Sequence, residues 1–388
     1  MKRAPLGGLK LHRTNNARRP PSYSRTAGME LGGRLAQSLP AVFGRQRKKG
    51  RDTAEMVELK LLIANRGEIA NRIAQTASTF PISNPCGFSG EGEDPSQVTL
   101  RTVGLYTRSE RHALHVQNCD SAVELHPAAG STNEGSGFLD AEQIIKIARE
   151  QGCWAIIPGY GFLSESPIFA KLLEADGSGI VFVGPTSEQL DLFGDKIKAK
   201  QLARECGVPL LPGTLGPSAS LAEVLNFVKS LPAGQKAILK AVAGGGGRGM
   251  RIIEAMAGTT VEETVRHAYE SCSREASTSF GDARIYVERY LSGAKHIEVQ
   301  IVGDGTGDVC HLWDRECSVQ RRHQKLIEIA PAPGLHAEVR RRVISYATKM
   351  AASRRYRSLG TFEFLVLPET GEAFLLEVNP RIQVEHTV

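Results

Sequence analysis

Regular alternation of apolar and polar residues begins at "VELKLLIANRGEIANRIAQTA", from Val57. A short apolar run followed by Asn65-Arg66-Gly67 predicts a strand and a tight turn, and Ile69, Ile73 and Ala74 then mark one stripe of an amphipathic helix. "TVGLYT", "AIIPGY" and "IVFVGP" read as further strands, with helical spacing in "DAEQIIKIAREQG" and "SPIFAKLLEADG" between them. Strands alternating with helices across short connections predict a doubly wound parallel sheet over residues 57–185. One stretch breaks this rhythm: Phe80 to Arg101 is rich in Pro, Gly, Ser and acids, and reads as a surface loop, an insertion or a gene-model error. GxGxxG is absent, so no dinucleotide site is assigned.

The texture changes near Gly194. "DKIKAKQLAREC" has helical spacing, while "KAILKAV" and "ARIYVERYL" read as strands. "HIEVQIVGDGTGDVCHLWDREC" and "TFEFLVLPETGEAFLLEVN" each show two strands about a turn. Residues 190–388 are therefore expected to form an α+β unit with an antiparallel sheet, so the fold class is α/β followed by α+β.

Charge divides the chain differently. Residues 1–55 hold 13 Lys/Arg against Glu30, Asp52 and Glu55, a local +10. By difference from the overall +6, the remainder carries about −4, so the basic balance says nothing of nucleic acid, and no nucleic-acid partner is expected. A leader rich in Arg and Ser suits a mitochondrial transit peptide; a disordered tail, or a true start at Met29 or Met56, suits the same composition. Mitochondrial and cytoplasmic locations both remain open. No apolar run approaches the roughly 20 residues that span a bilayer, so no membrane association is expected. Seven scattered cysteines without CxxC spacing point to a reducing compartment and buried thiols.

Candidate chemistry gathers in the second half. A turn centred on Thr370 sets Glu363 opposite Glu377 on one face, with Asn379 two residues further along that face. Facing carboxylates repel, and a hard divalent cation relieves the repulsion, although acids on a solvated strand face also occur without metal. "AGGGGRGMR" follows the strand bearing Lys240. Successive glycines allow backbone N–H groups to close on phosphate, a pattern shared with ordinary flexible loops. "ECSVQRRHQKLIE" packs Arg321, Arg322, His323 and Lys325 together, as a solvated patch or as charge for an anionic intermediate.

"IANRGEIANRI", "PGYGFLSES", "FVGP", "GDKIKAK", "LKAVAGGGGRGMR", "HIEVQI", "CSVQRRHQK", "GTFEFL" and "EVNPRIQVEHTV" occur in this order. Together, from about Leu59 to Val388, they resemble the biotin carboxylase domain of biotin-dependent carboxylases, an ATP-grasp enzyme. The resemblance implies that ATP phosphorylates bicarbonate to carboxyphosphate, which yields CO2 to carboxylate N1 of biotin. Lys196 and Lys240 are then expected on ATP phosphates beneath a lid containing Gly245, Gly246 and Gly247. Glu288 and Leu291 would present backbone to adenine, and His296 and Gln320 would line the ribose side. Glu363 and Glu377, with Asn379 nearby, would hold Mg2+ or Mn2+. Lys325 would face the phosphoryl charge, Arg381, Gln383 and the Val384 backbone would bind bicarbonate, and Glu385 would be the base.

The same resemblance implies partners. A biotinyl carrier domain and a carboxyltransferase would come from another chain or from missing sequence, since neither motif occurs here, and a homodimer is left open. The family continues past "VEHTV" into a lobe bearing an arginine that stabilises the biotin enolate. The expectation is therefore an incomplete ATP-grasp domain that binds ATP with little biotin carboxylation. A non-catalytic ATP-binding fragment and a carbamoyl-phosphate synthase half are the alternatives, the latter opposed by "RRHQK" and "RIQVEH". The acceptor (an acyl-CoA, pyruvate or urea) is not specified by these residues.

Overall fold

The computed structural model describes residues 57–79, 98–214, 219–242, 249–254, 260–321 and 324–387. In chain order the first unit comprises β1 (Val57–Ile63), α1 (Gly67–Thr79), β2 (Val98–Tyr106), α2 (Leu114–Asn118) and β3 (Ser121–Glu124). It continues with α3 (Ala141–Glu150), β4 (Ala155–Ile157), α4 (Pro167–Ala175), β5 (Val181–Phe182) and α5 (Ser187–Gly194). The strands form a parallel sheet of order β3-β2-β1-β4-β5, the doubly wound arrangement that the alternation predicts. Leu62, Val103, Ile144, Ile156 and Phe169 fill its core. Side chains cap the helices at their starts: the Asp140 carboxylate accepts from Gln143 N–H, and the Ser166 hydroxyl from Phe169 N–H ahead of Pro167.

Three details depart from the sequence reading. The face that α1 buries is Ala70, Ala74 and Ala77, with Ile69 and Ile73 half-buried at its flank. Ile69 instead packs against Gly159 after β4, where even a methyl would overlap its side chain, while Ala70 and Ala74 pack with Ile63 and Cys119. Residues 98–101 belong to β2, in register with β1, and so leave the irregular segment. Strand β3, only four residues long, carries too short a pattern to be read.

The second half contains α6 (Lys196–Glu205), α7 (Leu221–Ser230), β6 (Lys236–Ala241), β7 (Met250–Glu254), α8 (Thr260–Phe280) and β8 (Ile285–Tyr290). After these come β9 (Lys295–Asp304), β10 (Val309–Arg321), β11 (Gln324–Ile329), α9 (Ala337–Ser353), β12 (Arg357–Val366) and β13 (Ala373–Asn379). The expected antiparallel sheet proves to be two among the described residues. One has the order β7-β6-β8, covered by α7 and α8; the other, β11-β10-β9-β12-β13, packs on α6 and α9. A strap ties them together: Leu210 bridges to Leu375 of β13, and Gly213 bridges to Glu288 of β8. This strap fixes the spacing of the two sheets, and the site lies between them.

Six cysteines lie among the described residues, all free, with Cys310 half-buried and the others buried. The leader, most of the 80–101 stretch, Cys86, Gly245, Gly246, Gly247, Arg322 and His323 lie outside the described residues.

Candidate active site

A cavity of about 1110 Å³ opens between the two antiparallel sheets. Lys196, Lys240, Leu291, His296, Gln320, Lys325, Glu363, Glu377, Asn379, Arg381, Gln383, Val384 and Glu385 all line it. Glu288 stands just behind that wall, 4 % exposed, and Arg321 points to solvent at the end of β10.

Strand pairing builds the polar floor. Glu363 pairs with Glu377 across β12 and β13, as the turn position predicts. On its other side Glu363 pairs with Glu298 of β9, and Glu298 pairs in turn with Arg315 of β10. Three carboxylates and a guanidinium therefore form one row across four strands. Left alone, such acids would repel one another. Each meets a cation instead. Lys196 Nζ lies 3.3 Å from Glu377 Oε2. Lys325 contacts Glu298 and stands 3.5 Å from Glu363 Oε1 and 3.4 Å from Glu385 Oε1. Arg315 donates to Glu298 Oε2 at 3.1 Å. His296 Nε2 lies 2.8 Å from Glu363 Oε2, and Asn379 Nδ2 donates to Glu363 Oε1 at 2.7 Å.

Ionisation follows these contacts. Burial works against the charge of Glu363, but His296 and Lys325 outweigh it and hold its carboxyl below the ordinary range. Burial likewise opposes charge on Glu377, and Lys196 and Lys240 hold it low. For Lys325 burial disfavours the ammonium, yet Glu363, Glu298 and Glu385 push its pKa well up. His296 is raised in the same way: its burial is offset by Glu363 and then Glu298. The floor is thus a lattice of fixed opposite charges, poised for an anionic ligand and a cation together.

The orienting groups come from further away. Gln320 Nε2 lies 2.7 Å from His296 Nδ1 and donates to the Cys317 carbonyl at 2.8 Å. Gln383 accepts from Arg315 Nη2 at 3.2 Å. Arg381 is held by Glu165, which projects from the parallel-sheet unit, and donates to Asn379 Oδ1 at 3.2 Å. The Arg381 guanidinium therefore pairs with Glu165, whereas Glu385 pairs with Lys325. At the opposite end Glu288 binds two lysines: Lys240 Nζ at 2.9 Å from Oε2, and Lys200 at Oε1.

Glu298, Arg315, Glu165 and Lys200 are the participants that sequence reasoning missed. The period of two in "HIEVQI" offered a signal for Glu298, since Ile297, Val299 and Ile301 face the core while His296, Glu298 and Gln300 share the other face. Lys200 carried a signal too, four residues beyond Lys196 on the same helix face, and Arg315 lies opposite Glu298 in the same hairpin; Glu165 carried none.

Residues 58–190 match the family model "Biotin carboxylase, N-terminal domain", and residues 195–388 match "Carbamoyl-phosphate synthase L chain, ATP binding domain". The chain belongs to the biotin carboxylase family. Among curated relatives, pyruvate carboxylase of Aspergillus terreus is 43 % identical over 337 residues, covering 87 % of this chain and 26 % of that protein. The solved biotin carboxylase of Campylobacter jejuni, in complex with β,γ-ATP, is 38 % identical with a TM-score of 0.72, covering 85 % of this chain and 66 % of that one. The biotin carboxylase domain dimer of Hydrogenobacter thermophilus 2-oxoglutarate carboxylase, in complex with MgADP, ADP and bicarbonate, is 39 % identical with a TM-score of 0.73. There the match covers 85 % of this chain and 65 % of that one. The chain thus spans about a quarter of the pyruvate carboxylase and about two thirds of the biotin carboxylase domains it resembles.

Proposed function

We propose that this chain carries the nucleotide and bicarbonate chemistry of a biotin carboxylase, in which ATP and bicarbonate give carboxyphosphate and ADP. The observation that carries the reading is the row Glu377–Glu363–Glu298–Arg315 with Lys196, Lys325 and Lys240 around one cavity. The complex of the Hydrogenobacter domain with MgADP and bicarbonate supports the ligand assignment. Lys196 and Lys240 attract the phosphates from the cavity wall. Leu291 and the Glu288 backbone meet the adenine, and His296 held by Gln320 meets the ribose. Bicarbonate lies against Arg381, Gln383 and the Val384 backbone, and Glu385 takes its proton as the oxygen attacks the γ-phosphorus. Lys325, adjacent to Glu385, steadies the charge of the phosphoryl group in transfer.

The donor set suits a hard cation, since Glu363, Glu377 and Asn379 offer oxygen atoms on one face of the cavity. These residues would hold Mg2+ or Mn2+, which when bound supplies neutralisation of the phosphate charge. Biotin would arrive as substrate on a carrier domain, with carboxyl transfer carried out by a carboxyltransferase and the active form a homodimer. A mitochondrial or cytoplasmic site of action rests on the composition of residues 1–55 alone. Among the described residues no helix is long and apolar enough to cross a membrane.

Bicarbonate-dependent ATP cleavage by the full chain, measured beside Glu385→Gln, tests this reading. The expected result is turnover that requires bicarbonate and falls by roughly 100-fold or more in the variant, with nucleotide affinity kept. ATP cleavage at one rate with and without bicarbonate in both proteins would overturn it.

A further inference from the structure

Lys200 lies one helical turn beyond Lys196 on α6, yet it stands behind the cavity wall rather than on it. Its side chain is 15 % exposed, its ammonium contacts Glu288 Oε1, and it sits 4.1 Å from the centroid of the Tyr286 ring. Glu288 therefore has one oxygen on Lys200 and the other on Lys240, which does face the cavity. A buried carboxylate with a single lysine would make a neutral pair, and the Lys240 charge would be spent on Glu288. With two lysines the cluster carries a net +1, and in low-dielectric surroundings that surplus is felt strongly at the wall.

We infer that Lys200 is a positioning residue: it serves as counterion to Glu288, leaving the charge of Lys240 available to the phosphates of a bound nucleotide. The inference rests on the nucleotide reading of the cavity. Lys200 does not line the cavity and its ammonium rests on Glu288 and the Tyr286 ring, so its effect passes through Glu288. The effect must then be specific to phosphate-bearing ligands and must disappear when the Glu288 charge is removed. A role confined to packing predicts neither property.

The test is titration calorimetry of the full chain with MgADP and with adenosine, at low and moderate salt. Lys200→Met is expected to weaken MgADP by about tenfold and leave adenosine unchanged, while Lys200→Arg keeps the wild-type affinity. Adding Glu288→Gln to Lys200→Met is expected to restore MgADP binding, because the cluster returns to +1 with the Glu288 backbone intact. Should Lys200→Met fail to fold, Lys200→Gln decides by the same measure, since it removes the charge while keeping a donor for Glu288 Oε1, and it too is expected to weaken MgADP and leave adenosine unchanged. Unchanged MgADP affinity in Lys200→Met overturns the inference. Equal weakening of MgADP and adenosine, unrelieved by Glu288→Gln, overturns it in favour of packing. Wild-type protein that binds adenosine and MgADP equally, or neither, overturns the nucleotide reading and the inference with it.

Discussion

Glu288 shows how far a single side chain can be displaced from its ordinary chemistry. Burial opposes its charge, but Lys240 and Lys200 outweigh that cost and bring the carboxyl from near 4.5 down to about 2. An acid whose folded value is depressed contributes stability above its unfolded value, and that stability is lost as pH falls through the folded value. The window here runs from about pH 4.5 down to about pH 2, and the contribution is on the order of 3 kcal/mol. Urea denaturation of the wild type and Glu288→Gln at successive pH values checks this. The stability gap between the two proteins is expected to narrow through that window, and parallel curves would refute it. The pairing of Glu363 with Glu377 was legible in sequence because one local turn fixes the register. Lys200 and Glu165 were not, because their partners Glu288 and Arg381 lie 88 and 216 residues away, at distances that only the fold sets, while Arg315, 17 residues from Glu298, was hidden by the register shift between His311 and Asp314.

Among elements, the helices that open at the capping residues Asp140, Ser166 and Asp195 were read from their spacing, whereas α5 was not, although Thr186 caps it in the same way. What the alternation of residues could not supply was which hairpins share a ladder, so one expected sheet became two. Helix α9 escaped because its buried face, Val339, Val343, Ala347 and Met350, is interrupted by many charged and small residues. The central ladder also depends on a close approach that no pattern announces. At Gly303 of β9 an added methyl would overlap the backbone carbonyl of Tyr356, beside the Arg357 end of β12. Backbone cannot swing aside as a side chain can, so Gly303→Ala must push β9 away from β12. A loss of about 3 kcal/mol is expected in chemical denaturation, the upper part of the range for overpacking. A variant as stable as wild type would show that the two strands have slack.

At the scale of the whole molecule, three sheets converge on one cavity. The parallel unit contributes Glu165 to Arg381, the three-stranded sheet brings Lys240, and the five-stranded sheet supplies the carboxylate row. Family membership is carried by the matches over 58–190 and 195–388, while the chain spans about two thirds of the solved domains it resembles. The ordered motifs made that membership legible, and the charge lattice gives it a physical basis. The most direct check of the central claim is calorimetric titration of ADP into the folded full chain, with Mg2+ and with EDTA, beside the double variant Glu363→Gln/Glu377→Gln. Binding that strengthens about tenfold or more with Mg2+ in the wild type, and loses that gain in the double variant, is the expected result. Equal affinity with Mg2+ and EDTA in both proteins would contradict the assignment of these carboxylates to a metal–nucleotide site.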